Sequence, residues 1–248
     1  MDLGLGGRVY VVTGGTKGLG FATARCLVDD GARVVVSSRS QSSVEAAVAS
    51  LGSDAAHGVA ADNAEPGTAA VLVEAALQTW GRLDGALVSV GGPPGTAALG
   101  ATDEQWRDAF ESVFLGAVRM ARALVPHLGD GAAIGLVLST SSKSPIPGIE
   151  ISNGLRPGLA MWAKQLADEL GPRGIRAFSL LPGRLLTDRM TSLVPDPADR
   201  EQLAQTIPLR RMGEPEEFGR VAAFLLSPAA SYLTGLVVPV DGGALRTL

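Results

Sequence analysis

The chain has 248 residues, of which 46% are hydrophobic and 19% are charged, and its formal net charge is −4. This composition excludes a disordered chain, and the charge excludes the basic surface that nucleic-acid binding requires. The uncharged stretch at residues 85–102 contains five glycines and two prolines, so we expect no membrane-spanning helix there. The single cysteine, Cys26, and the lack of a signal-peptide pattern indicate a cytoplasmic protein.

Strand and helix patterns alternate along the chain. Short aliphatic runs predict seven strands, at residues 9–13, 33–37, 59–61, 83–89, 132–139, 175–181 and 236–240. Amphipathic segments predict helices at residues 19–29, 42–51, 66–80, 103–127, 153–170 and 215–226. This alternation predicts one α/β domain over residues 1–248, with a doubly wound parallel sheet flanked by helices. The segment 185–209 is rich in proline and aspartate and is predicted to form a mobile substrate lid.

The turn after the first predicted strand is rich in glycine. It places Gly14, Gly18 and Gly20 between that strand and the first predicted helix. Glycines let the backbone approach a pyrophosphate group, whose negative charge the helix N-terminus stabilises. Such turns also occur for geometric reasons alone, but the strand–turn–helix context favours dinucleotide binding.

The glycine spacing of three residues and then one, together with the chain length, resembles the short-chain dehydrogenase/reductase family. Further matching motifs are Asp62-Asn63, the turn at residues 182–187 and the tail at residues 208–243. The resemblance covers nearly the whole chain and points to the classical branch, in particular to 3-oxoacyl-acyl-carrier-protein reductases. It implies a Rossmann-type fold. The cofactor-binding residues that it implies are Gly14, Thr16, Lys17, Gly18, Leu19, Gly20, Ser38, Arg39, Asp62, Asn63, Ser89, Gly91, Arg156, Pro182, Gly183, Leu185 and Thr187.

The end of the second predicted strand indicates which nicotinamide cofactor is bound. An acidic residue there would bind a free ribose 2′-hydroxyl and repel a 2′-phosphate. The chain has Ser38 and Arg39 instead, and Lys17 in the glycine turn adds a second cation on the same side. Both cations are also compatible with a solvated surface, but the absence of an acid favours NADP(H) over NAD(H).

The resemblance implies an asparagine, a serine, a tyrosine and a lysine at the catalytic site, and this chain keeps only the serine. Ser139 matches the family serine, and the tyrosine position, thirteen residues later, is Ser152. The lysine position is Arg156, and the asparagine position is Val113.

Other ionisable residues are weaker candidates for catalysis. Tyr10 lies in the first predicted strand and Tyr232 near the C-terminus, so neither fits the tyrosine role. Lys143 and Glu150 lie between the two candidate serines, where such residues are more often solvated. We assign no role to the two histidines and predict no metal site.

The replacements change the available chemistry. A serine hydroxyl is a much weaker acid than tyrosine, whose pKa is about 10, and arginine stays charged and cannot shuttle protons. Ser139, Ser152 and Arg156 can still stabilise the negative oxygen that develops during hydride transfer to a carbonyl. The proton would then come from bound water or from a ribose hydroxyl.

Three functions share the same cofactor site. We predict an NADP(H)-dependent oxidoreductase that reduces a carbonyl of a small molecule at the Ser139, Ser152 and Arg156 site. The alternatives are a catalytically silent or regulatory NADP(H)-binding protein and a reductase of a C=C or C=N bond. The tail resembles that of family tetramers, so we expect a homotetramer, with a dimer second, and neither a nucleic-acid nor a membrane partner.

Overall fold

The computed structural model describes residues 2–89 and 91–247, so Met1, Val90 and Leu248 of the predicted domain lie outside the described residues. Its strands are β1 (Val9–Thr13), β2 (Arg33–Ser38), β3 (Ala56–Ala60), β4 (Gly85–Val88), β5 (Ala133–Val137), β6 (Arg176–Pro182) and β7 (Leu236–Val240). They form one parallel sheet in the order β3-β2-β1-β4-β5-β6-β7. The strand order reverses between β1 and β4, and open α/β sheets bind ligands at the carboxyl ends of such strands.

Helices cover both faces of the sheet. In the described residues they are α1 (Gly18–Asp29), α2 (Gln41–Leu51), α3 (Thr68–Trp80), α4 (Asp103–Ala109), α5 (Gly116–Leu124), α6 (Glu150–Leu170), α7 (Asp188–Leu193), α8 (Pro197–Ala204) and α9 (Pro215–Leu226). One face packs against α1, α2 and α9, and the other packs against α3, α5 and α6. The predicted Rossmann-type fold is confirmed.

Strand β1 shows why the central strands are uninterrupted aliphatic runs. All five of its residues are buried. Val9 and Val11 belong to the hydrophobic core on one face of the sheet, and Tyr10 and Val12 to the core on the other. A strand covered on both faces has no solvated side, so every position favours an apolar residue.

The helix predicted over residues 103–127 is divided. A π-helical turn at Phe110–Leu115 separates α4 from α5, and a 3₁₀ turn at Val125–His127 follows α5. The π-helical turn contains neither proline nor glycine, so no local sequence signal marks it. It lies at the predicted asparagine position, Val113, and π-helical turns are frequent at functional sites.

Several predicted boundaries were wrong by two to three residues, including the starts of β3, α3 and α6. The strand predicted at 59–61 begins at Ala56, because edge strand β3 pairs with β2 through residues that are poor strand formers, including Gly58. The helix predicted from residue 66 begins at Thr68, after the N-cap Gly67. The helix predicted from residue 153 begins at Glu150, whose negative charge is favourable at a helix N-terminus.

The predicted lid, residues 185–209, contains α7 and α8. A parallel bridge between Leu185 and Gly213 connects its first residue to the segment before α9. Residues 2–89 and 91–247 include no helix with the length and apolarity needed to span a bilayer. Over the same ranges, no three His, Cys, Asp or Glu side chains come together as metal ligands would.

Candidate active site

The glycine-rich turn after β1 is packed too closely for side chains. Gly14 has a φ of +60°, and a Cβ atom there would lie 2.7 Å from the carbonyl oxygen of Ser89. A Cβ atom on Gly20 would overlap the carbonyl oxygen of Gly14, because the first turn of α1 packs directly on the glycine turn. These two glycines are therefore required by the fold itself, in addition to any role in approaching a ligand.

The N-terminus of α1 has no side-chain cap. Its N-cap residue is Lys17, whereas Ser40 and Thr187 cap α2 and α7 through their hydroxyl groups. The first amide groups of a helix need acceptors, which a bound phosphate supplies. The arrangement therefore fits the pyrophosphate of a dinucleotide. Thr16 and Leu19, the other predicted contacts in this turn, are half-buried beside it.

Thr187 lies beside the glycine turn. A Cβ atom on Gly18 would be 3.6 Å from the Cγ2 atom of Thr187, so the two turns are in close proximity. The amide of Gly183 donates to the carbonyl of Val240 at 2.9 Å and anchors this second turn to β7. The fold thus brings four more predicted cofactor residues to the cleft: Pro182, Gly183, Leu185 and Thr187.

A hydrogen-bond network fixes the carboxyl ends of β1 and β4. The Thr13 hydroxyl donates to the Ser89 carbonyl at 2.8 Å and accepts from the Ser89 amide at 2.9 Å. The Asn63 amide group also donates to the Thr13 hydroxyl, at 3.3 Å. Asn63 therefore supports the carboxyl end of β1, in addition to being a predicted cofactor contact. Gly91, another predicted contact, is exposed in the loop after β4. The sequence interpretation did not assign a role to Thr13.

The loop after β3 is held from two directions. The Asp62 carboxylate accepts from the amide of Ala64 at 3.0 Å. Arg119 of α5 donates to the Ala64 carbonyl at 3.0 Å and forms an ion pair with Glu111 at 2.8 Å. This arginine was not identified from the sequence, because it is remote in the chain from the loop that it supports.

The positive charges predicted to select NADP(H) lie at the surface of the cleft. Ser38 is the last residue of β2, Arg39 follows it, and Arg39 and Lys17 are both exposed. Neither cation forms an ion pair with another described residue. Both are therefore accessible to a phosphate group, as the sequence interpretation requires.

Ser152 and Arg156 form a buried pair one helical turn apart on α6. The Arg156 Nε atom donates to the Ser152 Oγ atom at 3.0 Å, and Nη1 donates to the Val137 carbonyl at the end of β5, at 2.9 Å. The two residues are only 5% and 4% exposed. Burial lowers the pKa of Arg156 to about 10, with a smaller contribution from the charge of Arg189, so the guanidinium remains protonated at neutral pH.

Ser139 follows the same strand that anchors Arg156. It is half-buried and begins a 3₁₀ turn at Thr140–Ser142, where its Oγ atom accepts from the Ser141 amide at 3.1 Å. Because Arg156 binds Val137, two residues before Ser139, all three predicted catalytic residues lie at the carboxyl end of β5.

Two side chains of α6 hold the loop that leads to it. The Asn153 side chain forms hydrogen bonds with both backbone groups of Ile146. Glu150 accepts from the Gly148 amide at 3.0 Å and from the Thr96 hydroxyl at 3.4 Å. Glu150 is therefore engaged in loop contacts. Short polar side chains often bind nearby backbone in this way, which is the signal that could have identified Asn153.

The remaining family-matched or phenolic side chains are either buried in the core or fully exposed. Val113 is 2% exposed within the hydrophobic core. Tyr10 is fully buried, its hydroxyl donates to the Leu226 carbonyl at 3.3 Å, and burial raises its pKa to about 12. Tyr232 is completely exposed and precedes the amino end of β7, whereas the candidate catalytic residues lie at the carboxyl end of β5.

Arg189 connects the lid to the loop after β4. From the first turn of α7, its Nη1 atom donates to the Gly92 carbonyl at 3.0 Å and its Nη2 atom to the Pro93 carbonyl at 3.3 Å. Sequence reasoning did not identify Arg189, because the contact joins two loops that are 96 to 97 residues apart.

Comparison with known proteins identifies relatives along nearly the whole chain. The family model described as "Enoyl-(Acyl carrier protein) reductase" matches residues 14–244. The human dehydrogenase/reductase SDR family member 4 is 36% identical over 96% of this chain and 88% of its own length. An oxidoreductase of Methylorubrum extorquens is 37% identical over 96% of this chain and 98% of its own.

Solved structures agree over the full chain. The L-sorbose reductase of Gluconobacter frateurii, complexed with NADPH and L-sorbose, superposes with a TM-score of 0.94 at 31% identity, covering 100% of both chains. A Brucella melitensis short-chain dehydrogenase/reductase reaches the same TM-score at 26% identity, also covering 100% of both chains. The sheet order, the glycine turn and these matches lead to one conclusion: the chain belongs to the short-chain dehydrogenase/reductase family of oxidoreductases.

Proposed function

We propose that this protein is an NADP(H)-dependent oxidoreductase that reduces a carbonyl group of a small molecule by hydride transfer. The observation that carries the proposal is the buried contact between Arg156 and Ser152 at the carboxyl end of β5, beside Ser139. Burying a cation is costly unless hydrogen bonds compensate it, and one of the two compensating bonds here goes to the hydroxyl at the family's tyrosine position.

The cofactor preference rests on the charges around the cleft. Lys17 and Arg39 are exposed, they would bind a 2′-phosphate together with Ser38, and no acidic side chain directly follows β2 to repel it. The L-sorbose reductase that shares this fold was solved with NADPH. When bound, the cofactor supplies the hydride that is added to the carbonyl carbon.

The direction of the hydrogen bonds defines what the two serines do. Guanidinium and amide N–H groups only donate, so Ser152 accepts from Arg156 and Ser139 accepts from the Ser141 amide. The hydrogen atom of each hydroxyl is then available to donate to a substrate oxygen. Two hydroxyl donors backed by a guanidinium charge stabilise the negative oxygen that develops on the carbonyl. Solvent water supplies the proton that completes the alcohol, since neither serine nor Arg156 releases one readily at neutral pH.

A second candidate reaction is reduction of an activated C=C bond. The family model that matches residues 14–244 is described as an enoyl reductase, which favours this reaction. The same serine hydroxyls would then stabilise an enolate oxygen rather than an alkoxide. A catalytically silent or regulatory NADP(H)-binding protein and reduction of a C=N bond are the remaining alternatives.

The deciding experiment is NADPH consumption by the purified protein, with cofactor binding followed by nicotinamide fluorescence. The substrate panel holds simple ketones, a β-ketoacyl thioester and an α,β-unsaturated thioester. We expect turnover of a carbonyl substrate that Ser139→Ala and Ser152→Ala each reduce strongly, with NADPH affinity retained. The matched control is Ser53→Ala, an exposed serine in the turn before β3. Turnover of the unsaturated thioester alone would favour the C=C reaction, and tight NADPH binding without any turnover would favour the silent protein.

The assembly and location proposed from the sequence remain a homotetramer, with a dimer second, in the cytoplasm. Phe110 and Met161 are 40% and 73% exposed on the long helical segments, and large apolar side chains of this kind suit subunit contacts. The half-buried free thiol of Cys26 suits a reducing compartment. A monomer by light scattering would contradict the proposed assembly.

A further inference from the structure

Arg189 links two loops at the carboxyl ends of β4 and β6, beside the candidate active site. It lies two residues after Thr187, which contacts the glycine turn, but its guanidinium reaches across to the loop after β4. The contacted oxygens belong to Gly92 and Pro93, and a Cβ atom on Gly92 would lie 2.6 Å from Nη2. The arginine therefore joins the loop after β4 to the segment after β6, at the carboxyl ends of both strands.

The positive charge of Arg189 has no carboxylate partner among the described residues. Its two contacts are neutral carbonyl groups, and they occupy two of the five N–H groups that a guanidinium carries. The neighbouring Asp188 is exposed and forms no ion pair with it, and Glu150 is engaged by Gly148 and Thr96.

A second uncompensated guanidinium lies close by. Arg156 is buried, and its contacts are the Ser152 hydroxyl and the Val137 carbonyl, which are also neutral. The charge of Arg189 is near enough to lower the pKa of Arg156, and no described carboxylate counteracts that effect. Two guanidinium charges without a carboxylate partner thus lie close enough to repel each other, and an anion bound at the exposed Arg189 would offset that repulsion.

We propose that the substrate is an oxo acid, whose carboxylate binds the free N–H groups of Arg189 while its carbonyl oxygen binds Ser152 and Ser139. This inference rests on the proposed carbonyl reduction at the same site. A guanidinium presents paired N–H groups that match the two oxygens of a carboxylate, which a neutral ketone cannot use. The bound carboxylate also compensates the charge that Arg189 and Arg156 share.

The test compares oxo acids with their methyl esters, which have the same carbonyl but no charge. The probes are 2-oxobutanoate, 3-oxobutanoate and 4-oxopentanoate, each with its methyl ester, with NADPH as reductant. We expect at least one acid to have a higher kcat/KM than its ester. Arg189→Gln should lower the kcat/KM for that acid by about ten- to a hundredfold, which is the range expected for the loss of a charge-assisted hydrogen bond. The ester should change by less than about threefold, because Arg189→Gln leaves neutral contacts largely in place.

Arg200→Gln is the matched control. Arg200 lies in the same lid, on α8, and also donates to two successive carbonyls, those of Val194 and Pro195 at 2.7 and 2.8 Å. Its contacts stay within the lid and do not reach the loop after β4. Arg200→Gln should therefore leave the ratio of acid to ester unchanged.

Three outcomes would overturn the inference. The first is an ester turned over as well as its acid by the unaltered protein. The second is an Arg189→Gln variant in which the kcat/KM values for the acid and for its ester fall equally. The third is a loss of NADPH affinity in that variant with an unchanged acid-to-ester ratio, which would assign Arg189 to the cofactor phosphates.

Binding separates this inference from the proposed reaction. If no probe is reduced, calorimetry with 4-oxopentanoate and its methyl ester in the presence of NADP⁺ replaces kinetics. Preferential binding of the acid that Arg189→Gln abolishes would support the anion site while counting against carbonyl reduction. Equal or absent binding of acid and ester would overturn the anion site.

Discussion

The side chain of Asn153 binds both backbone groups of Ile146, accepting from its amide at 3.2 Å and donating to its carbonyl at 2.8 Å. This double contact joins the loop before α6 to the first turn of that helix. Asn153 follows Ser152 directly, so the position of the hydroxyl depends on how this turn is held. Asn153 therefore acts as a positioning residue for the candidate site.

Replacing Asn153 tests that role. Asn153→Ala should lower the free energy of unfolding by about 1–2 kcal/mol, because two half-buried backbone groups lose their partner. It should also lower kcat more than it raises KM, since the loop no longer fixes Ser152. Asn153→Asp keeps the acceptor for the Ile146 amide but repels the Ile146 carbonyl. Its free energy of unfolding and its kcat should therefore lie between those of the unaltered protein and those of Asn153→Ala. Denaturant unfolding and steady-state kinetics measure these effects, and unchanged kcat in Asn153→Ala would refute the positioning role.

The contact between Arg156 and Ser152 predicts strong coupling of their substitutions. Ser152→Ala leaves the Arg156 Nε–H group buried without its acceptor, which costs about 1–3 kcal/mol of stability. Arg156→Met removes the charge together with its need for a partner. The double variant should be destabilised by at least about 0.5 kcal/mol less than the sum of the single variants. Additive free energies of unfolding would show that the contact does not form in solution.

The charge of Arg156 predicts the pH dependence of turnover. Its pKa is lowered to about 10 by burial, so the guanidinium is protonated throughout the range from about pH 6 to 9. We expect kcat to be constant over that range and to fall as the pH rises through about 10, where Ser152 loses its charged donor. This is tested by measuring kcat against pH in buffers of constant ionic strength. A change in kcat near pH 7 would require a different ionisable group in the site.

The contribution of Arg156 to the free energy of unfolding should rise with pH over the same titration in which kcat falls. The unfolded chain holds the Arg156 proton up to the ordinary, higher pKa of arginine, whereas the folded chain releases it at a pKa of about 10. Between these values the unfolded state binds more protons, so the contribution of Arg156 to the free energy of unfolding rises with pH. Comparing alkaline unfolding of the unaltered chain with Arg156→Met isolates this contribution.

Arg39 predicts cofactor selectivity. Arg39→Asp should weaken NADPH binding by about ten- to a hundredfold, because it replaces a charge-assisted phosphate contact with repulsion. NADH binding should change little. Arg33→Asp is the control, since Arg33 is exposed at the opposite end of the same strand. Nicotinamide fluorescence titrations give the dissociation constants, and an equal loss for both cofactors would argue against a phosphate contact at Arg39.

The strands and the spacing of Ser152 and Arg156 could be predicted because they depend on local periodicity. A strand buried on both faces must be aliphatic, as in β1, and residues four apart on a helix share a face. Edge strand β3 was less accurately predicted, because its alanine, histidine and glycine carry little strand preference.

The supporting contacts of the site could not be predicted in the same way. The partners of Arg189 and Arg119 lie in loops 96 and 55 residues away, and their approach depends on loop conformations that no periodic pattern encodes. The π-helical turn at Phe110–Leu115 likewise has no proline or glycine to mark it. Local sequence thus predicts the strands and the shared helix face of Ser152 and Arg156, while the distant contacts around them emerge only in the folded chain.

The contact between Thr13 and Ser89 also bears on how the protein folds. These residues are 76 positions apart, and their two hydrogen bonds form only after β4 has docked beside β1. Gly14, which follows Thr13, packs on the Ser89 backbone, so the glycine turn acquires its final shape at the same step. A nascent chain that ends before β4 therefore has the nucleotide-binding sequence without its binding conformation. Ligand binding then adds its free energy to the pairing of these two strands and favours the fully assembled sheet.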